Sequence, residues 1–450
     1  MQQTTFPRTE PRIAVPIPPG EASGADRSLE SGPPRPEHPR PDLQRDAWVN
    51  LNGRWRFAFD PQNGGEQMRW YHVPHPAVAA RTGEVSGPIE DPFGAEIIVP
   101  FPWESRLSGI GDPHYKGAAW YQRSIDVPPE WVDESAPPRA RPPGGAGSGD
   151  GLTPGASGVA DGPAALSMPD AFAPPVPTRP IGRPPVKWRR RPYLCFGAVD
   201  WSAKVWVNGR FVAEHDGGYT PFAVDLSPYL RPGIPATLTV RVWDACDADT
   251  PLGKQTDDWY THSGGMWQTV WLEGRPMAYL SRLHITPHLE SGRATFAAAI
   301  DTTADFTTGS YRHTVDSADG AFPPVEHTVV VEPGGAEAVL EVEVPQPRWW
   351  SPEDPHLYHC VVTLTPCLSD GHGKGDGRPG GGGDTEVDRV RTYFGLRSIS
   401  SARWEGKPYE YVLLNGEPVY LRGALDQAFH PDTLHAYPSD QAIRADVQAA

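Results

Sequence analysis

The sequence predicts a mainly β chain built around two consecutive antiparallel sandwiches, and three observations carry that expectation. Short runs alternate apolar and polar side chains with period two, the pattern of strands buried on one face. Glycine and proline are dense, 47 and 54 of 450 residues, and both interrupt helices. Asn-Gly pairs stand between apolar runs, where both residues tolerate the positive φ of a type I′ turn.

Composition narrows the function classes. Sixteen Trp, fifteen Tyr and fourteen Phe supply bulk for more than one core, and at about 100–200 residues per domain the length allows several. Forty basic against 56 acidic residues leave a net charge of −16, which repels phosphate backbones and anionic lipid. Nucleic acid and membrane are therefore not expected as partners. The first residues lack the apolar segment of a secretory signal, and nowhere do about eighteen apolar residues run together. Cys195, Cys246, Cys360 and Cys367 are too sparse for a disulfide framework and lack C-x-x-C spacing, so reduced thiols and a cytoplasmic location are expected. The pairs His72/His75 and His356/His359 have no third ligand near in sequence, and neither a metal nor another cofactor is expected.

In chain order, residues 1–42 read as a disordered or loosely draped leader, with ten prolines in the first 41 positions and no apolar period. Residues 43–275 read as the first sandwich. Its strands include "GRWRFAFD", "AAWYQRSIDV" and "AKVWVNGRFVAEH", the last with Asn208-Gly209 as a hairpin turn. A low-complexity insertion at 135–185, where 22 of 51 residues are Gly or Pro, interrupts it as an expanded loop. Residues 276–394 read as a smaller, immunoglobulin-like sandwich. There "AVLEVEV" sends Leu340, Val342 and Val344 one way and Glu341 and Glu343 the other, and eight glycines within 370–384 suggest a flexible loop. Residues 395–450 differ in kind. A second Asn-Gly turn at Asn415-Gly416 precedes a helix start with Ser439 as N-cap and Ile443 and Val447 one turn apart.

The motifs "IIVPFPWESRLSGIG" (97–111), "WYQRSIDVPPEW" (120–131), "FGAVDWSAKVWVNG" (196–209), "GGYTPFAVDLS" (217–227), "SGGMWQTVWLE" (263–273) and "LLNGEPVYLRG" (413–423) resemble, in order, glycoside hydrolase family 2, the β-galactosidase and β-glucuronidase group. That resemblance implies a jelly-roll, galactose-binding-like sugar-binding domain, then an immunoglobulin-like domain, then a (β/α)8 barrel that carries the chemistry. Only the start of the barrel, at 395–450, is expected in this chain. A retaining glycosidase needs two carboxylates about 5–5.5 Å apart, in this family two glutamates late in the barrel, the acid/base within an Asn-Glu pair. The five asparagines here, Asn50, Asn52, Asn63, Asn208 and Asn415, all precede residues other than Glu. No catalytic residue is therefore assigned, and these 450 residues alone are expected to be inactive.

The resemblance also implies sugar-contacting positions. After "LRG", relatives often carry Val-Asn-x-His-Glu-x-His-Pro. Here the corresponding stretch holds Asp426, Gln427 and Ala428 and keeps His430-Pro431, so Asp426, Gln427 and His430 are candidate sugar contacts, against a solvated loop and a structural His. The loop "GKQTDDWYTHSGG" corresponds to one that reaches the barrel mouth with an acid. Asp257 or Asp258 is the candidate, with Trp259 and Tyr260 as stacking faces, against a loop anchored on the sandwich. A carbohydrate substrate is the expected partner, and a separately encoded barrel half a possible second one. The alternative is a non-catalytic module that binds a glycan or a protein.

Overall fold

The computed structural model describes residues 32–133, 186–247, 260–367, 386–403, 406 and 408–450. The low-complexity insertion and the glycine-rich loop lie outside the described residues, as do Asp257, Asp258 and Trp259.

Among the described residues ten strands build the first body: β1 (Trp48–Asn50), β2 (Gly53–Asp60), β3 (Ala95–Val99), β4 (Gly117–Ile125), β5 (Arg191–Phe196), β6 (Ser202–Val207), β7 (Arg210–Asp216), β8 (Phe222–Asp225), β9 (Ala236–Asp244) and β10 (Val270–Arg275). They form a six-stranded sheet, β3-β2-β4-β9-β6-β7, facing a four-stranded sheet, β1-β10-β5-β8. Trp55, Phe57, Ile97 and Tyr121 from the larger sheet meet Leu194, Phe196, Val270 and Leu272 from the smaller in one core. Asn208 (φ 49°) and Gly209 (φ 73°) close the β6–β7 hairpin, both left-handed as a type I′ turn requires.

Alternation predicts a solvated outer face for the large sheet, and the structure differs. Ala58, Trp120 and Trp206 on that face are buried under Val73 and Phe93, with Trp70 and Tyr71 packed alongside. Trp206 stacks between Tyr71 at 5.1 Å and Trp120 at 5.3 Å. The covering segment includes a short helix that period-two reading missed, α1 (Pro76–Thr82). The His75 ring caps it by accepting from the Ala77 N–H at 3.2 Å, Pro76 opens it and Gly83 (φ 75°) ends it.

The second body holds β11 (Ala278–His288), β12 (Arg293–Thr302), β13 (Gly309–Ser317), β14 (Val325–Val331), β15 (Ala336–Glu343), β16 (Tyr358–Pro366) and β17 (Asp388–Phe394). Its sheets are β11-β12-β15 and β14-β13-β16-β17. Leu340 and Val342 point into the core while Glu341 and Glu343 face out and pair with Arg293. Beyond it, β18 (Ile399–Arg403), β19 (Glu410–Leu414) and β20 (Glu417–Pro418) make an antiparallel meander, turned at Asn415 (φ 53°) and Gly416 (φ 86°). Residues 419–427 carry no ladder, and Tyr420, Leu421 and Leu425 are 85%, 70% and 81% exposed. The closing helix, α2 (Asp440–Ala449), is capped by Ser439 and buries none of its residues. No helix among the described residues is long and apolar enough to cross a membrane.

The described end of the leader, residues 32–42, packs on the body. The side-chain amides of Asn50 and Asn52 donate to the carbonyls of Arg35 and Pro34 at 2.9 and 3.0 Å, and His38 packs against Trp48 at 4.8 Å. The prolines deprive that stretch of N–H donors, so its carbonyls are satisfied by side chains instead.

Next in the chain, Arg45 is buried between the sandwiches. Its guanidinium donates to both Asp388 oxygens at 2.9 and 2.8 Å, to Glu273 at 2.8 Å and to the Leu280 carbonyl. Arg275 also donates to Glu273, at 2.7 Å. Burial by itself would raise the Glu273 carboxyl, but the two arginines outweigh it and hold it at about 2. Arg45→Met is expected to cost about 3 to 5 kcal/mol, since it leaves Asp388 and Glu273 buried without that cation. Chemical denaturation of the variant beside the parent checks this, and a loss below about 1 kcal/mol would contradict it.

The second sandwich carries a different titration. His313 is fully buried, pairs across strands with His327, and neither ring nitrogen has a partner. Burial, then the neighbouring imidazole, lowers it from 6.5 to about 4. An unfolded chain takes up that proton near 6.5 and the folded one only near 4, so stability should fall as pH drops through that window. Thermal melts of His313→Leu should show a shallower slope there, and a slope equal to the parent's would refute the assignment.

Candidate functional site

The two sequence-singled regions approach each other at one end of the first sandwich. Tyr260, the described end of the "DDWY" loop, lies with its ring 5.0 Å from Phe429 in the segment that follows the meander. Around this contact, Tyr219, Trp267 and His435 form an aromatic patch with centroids 5.5 to 6.2 Å apart.

Glycines shape the sandwich side. A side chain on Gly264 would meet the Trp103 ring at 2.2 Å, and one on Gly265 (φ 92°) would meet the Tyr121 hydroxyl at 2.2 Å. The Gly-Gly of "SGGMW" is thus a packing requirement that lets the loop lie against two buried rings. Both oxygens of Glu104 accept the Gly264 N–H at 3.0 Å, and Gly265 exchanges two backbone bonds with Asp200 at 2.9 and 2.8 Å. Burial pushes the Glu104 carboxyl well above its ordinary value despite the Gly264 bond. Trp267 is then locked by its indole N–H, which donates to the Gly218 carbonyl at 2.7 Å.

The opposing segment is a series of tight turns. The Asp426 carboxylate accepts from the Ala428 N–H at 2.7 Å, a side-chain-closed turn that holds Ala428 at φ 51°. His430 pairs with Leu434 through backbone bonds of 2.8 and 2.9 Å. Its Nδ1 accepts from the Asp432 N–H at 3.2 Å, so in the neutral ring the proton is assigned to Nε2. The segment is pinned to the sandwich by Ser105, which donates to the Asp432 carbonyl at 2.9 Å, and by an Arg106–Asp432 ion pair. Ala436 packs on Ile98 and Phe101.

Asp426 is exposed, and Gln427 and His430 are half-buried. The structure gives Asp426 and His430 turn-forming bonds, while the Asp426 second oxygen and the His430 Nε2 carry no such turn bond. His435, which sequence reasoning passed over, is more tightly integrated. Its Nδ1 donates to the Ala428 carbonyl at 3.0 Å, burial lowers its pKa, and Nε2 is left as a buried lone pair without a partner. The signal available was spacing alone, five residues past His430 within a run of turn formers. Beside it lies a cavity of about 520 Å³ walled by Arg35, His38, Trp267, His435, Tyr437 and Asp440. Asp426, Gln427 and His430 are not among its walls.

Comparison with known proteins shows what the chain is similar to. Residues 185–276 match the family model "Glycosyl hydrolases family 2, sugar binding domain" and residues 278–372 match "Glycosyl hydrolases family 2". The chain is 28% identical over 240 residues to a β-galactosidase of Thermoanaerobacter pseudethanolicus, an alignment covering 52% of this chain and 29% of that protein. It is 29% identical over 258 residues to a β-galactosidase of Klebsiella pneumoniae, covering 54% and 22%. It thus spans less than a third of these relatives. Among solved structures it resembles a Ruminococcus gnavus β-glucuronidase, with TM-score 0.56 and 19% identity over 90% of this chain and 54% of that one. A family 2 β-galacturonidase from Eisenbergiella tayi superposes with TM-score 0.54 and 21% identity, covering 90% and 52%.

Gly265→Ala should destabilise the first sandwich by about 1 to 3 kcal/mol through overpacking against Tyr121 and a disfavoured backbone. Denaturation monitored on the purified chain checks this, and an unchanged midpoint would refute the packing argument.

Proposed function

Since residues 185–276 and 278–372 match domains of family 2 glycoside hydrolases, we propose that this chain is the non-catalytic N-terminal part of an exo-acting β-glycosidase. The first sandwich serves as a wall of the sugar pocket and the second as a spacer toward the catalytic barrel. The observation that carries this reading is the Tyr260–Phe429 contact, which brings a sandwich loop against the segment where the resemblance sites the end of barrel strand one. Barrel active sites lie at strand C-termini, so Asp257, Asp258, Trp259, Asp426, Gln427 and His430 are proposed to face the sugar.

The chemistry itself is proposed to come from residues outside these 450. A retaining mechanism needs a proton donor and a nucleophile about 5–5.5 Å apart, and no Asn-Glu pair is present. The exposed Tyr420, Leu421, Leu425 and Val447 support a surface covered by further barrel elements, whether joined to this chain or separately encoded. Four free cysteines, three of them buried, support a reducing, cytoplasmic setting.

The purified 450-residue chain should release no nitrophenol from nitrophenyl β-galactoside or β-glucuronide above background, and turnover by it would refute the assignment of the chemistry elsewhere. Deleting residues 395–450 should lower binding of a hydrophobic dye and raise soluble yield. Dye binding that survives the deletion would show that this surface is not the apolar one. A module that holds a glycan without turnover is the second reading, favoured by the cavity beside Trp267. Saturable heat on titration with a galactoside, abolished in Trp267→Ala, would select it.

A further inference from the structure

We infer that residues 34–45 form a three-way strap that ties the segment 430–450 to both sandwiches, with Arg35 as its clasp.

The strap touches each body through a different kind of contact. At its far end Leu43 enters the second core, Gln44 exchanges two backbone bonds with Arg391 of β17 at 3.0 and 2.8 Å, and Arg45 is buried between Asp388 and Glu273. In its middle, His38 is buried against Trp48 of β1. At its near end the Asn50 and Asn52 amides hold the Pro34 and Arg35 carbonyls, and Arg35 sits at φ 51°. That left-handed turn coincides with the side chain's reach across to the closing segment. The guanidinium donates to the Tyr437 carbonyl at 3.4 Å and pairs with Asp440 at 3.1 Å, while Glu37 holds it from the strap side.

Asp440 opens α2, and its carboxylate also suits the positive end of that helix. The helix buries none of its own residues, so apolar packing does not fix where it lies. The positional restraint comes from Arg35 at one flank and, ahead of the helix, from the Ser105 and Arg106 contacts to Asp432 and the packing of Ala436 on Ile98 and Phe101. The cavity of about 520 Å³ lies under the clasp, walled jointly by Arg35, Trp267, Tyr437 and Asp440. Release at Arg35 alone would let α2 lift while the sandwiches stay closed, because His38, Leu43 and Arg45 anchor the rest of the strap from buried positions. This device is independent of which sugar, if any, the chain serves.

The test is site-resolved hydrogen–deuterium exchange on the full chain with Arg35→Ala, Asp440→Asn and the double variant. Amides of residues 435–445 are expected to exchange about two- to fivefold faster in each single variant, while those of β5 and β9 keep the parent's rates. The double variant should be no faster than Arg35→Ala, since both changes remove one shared restraint. Unchanged exchange at 435–445 in Arg35→Ala, an equal rise in β9, or additive rates in the double variant would each overturn the strap's role. Asp440 is exposed, so Asp440→Asn keeps the test readable if Arg35→Ala folds poorly.

Discussion

The arrangement of this chain depends on a buried guanidinium. Arg45 is 2% exposed and binds one acid from the last strand of the first sandwich and one from the last strand of the second. An ion pair taken out of water gains little net energy, since desolvation offsets the attraction, but breaking it is costly. Its effect is therefore directional. Two sandwiches with separate cores could meet in many orientations, and the one observed satisfies Arg45, Glu273, Asp388 and the Leu280 N–H that donates to Asp388 at 2.8 Å. Arg275 strengthens the same corner by stacking over Tyr193 and Tyr279 at 4.4 and 5.0 Å.

From that fixed corner the site geometry follows outward. The first sandwich presents loops at one end whose shape is set by glycines pressed on Trp103 and Tyr121, and the closing segment rests on those loops through Asp432 and Ala436. Apolar burial holds the sandwiches, whereas α2 at the end of the closing segment buries none of its residues and is held by polar clasps. Such contacts resist displacement less strongly than a core does.

How much could be read beforehand varied with the kind of interaction. Alternation exposed the strands, and the two Asn-Gly turns were legible because positive φ restricts the residue choice so strongly. That Trp120 and Trp206 are packed follows from their bulk, and both are buried, but the alternation rule assumes that one sheet face meets solvent and gives no sign of the 65–93 segment laid across them. α1 escaped notice because His75 is an unusual cap and seven residues show little period. Up to residue 42 the strap's prolines suggest a disordered or draped stretch, whereas the groups that anchor it are Asn50 and Asn52, fifteen or more residues away. For the site, motifs pointed to both regions that meet at Tyr260 and Phe429. His435 and the cavity beside it depend on long-range proximity that no local pattern encodes.

The distribution of indoles has an optical consequence. Thirteen of the sixteen tryptophans precede residue 276, and Trp55, Trp103, Trp120 and Trp131 there are almost wholly shielded from solvent, whereas Trp349 is half exposed beside the second core. Intrinsic emission is accordingly a spectroscopic window on one half of the molecule, while far-ultraviolet dichroism reports on both. Any separation between the two signals during melting would measure how independently the halves come apart.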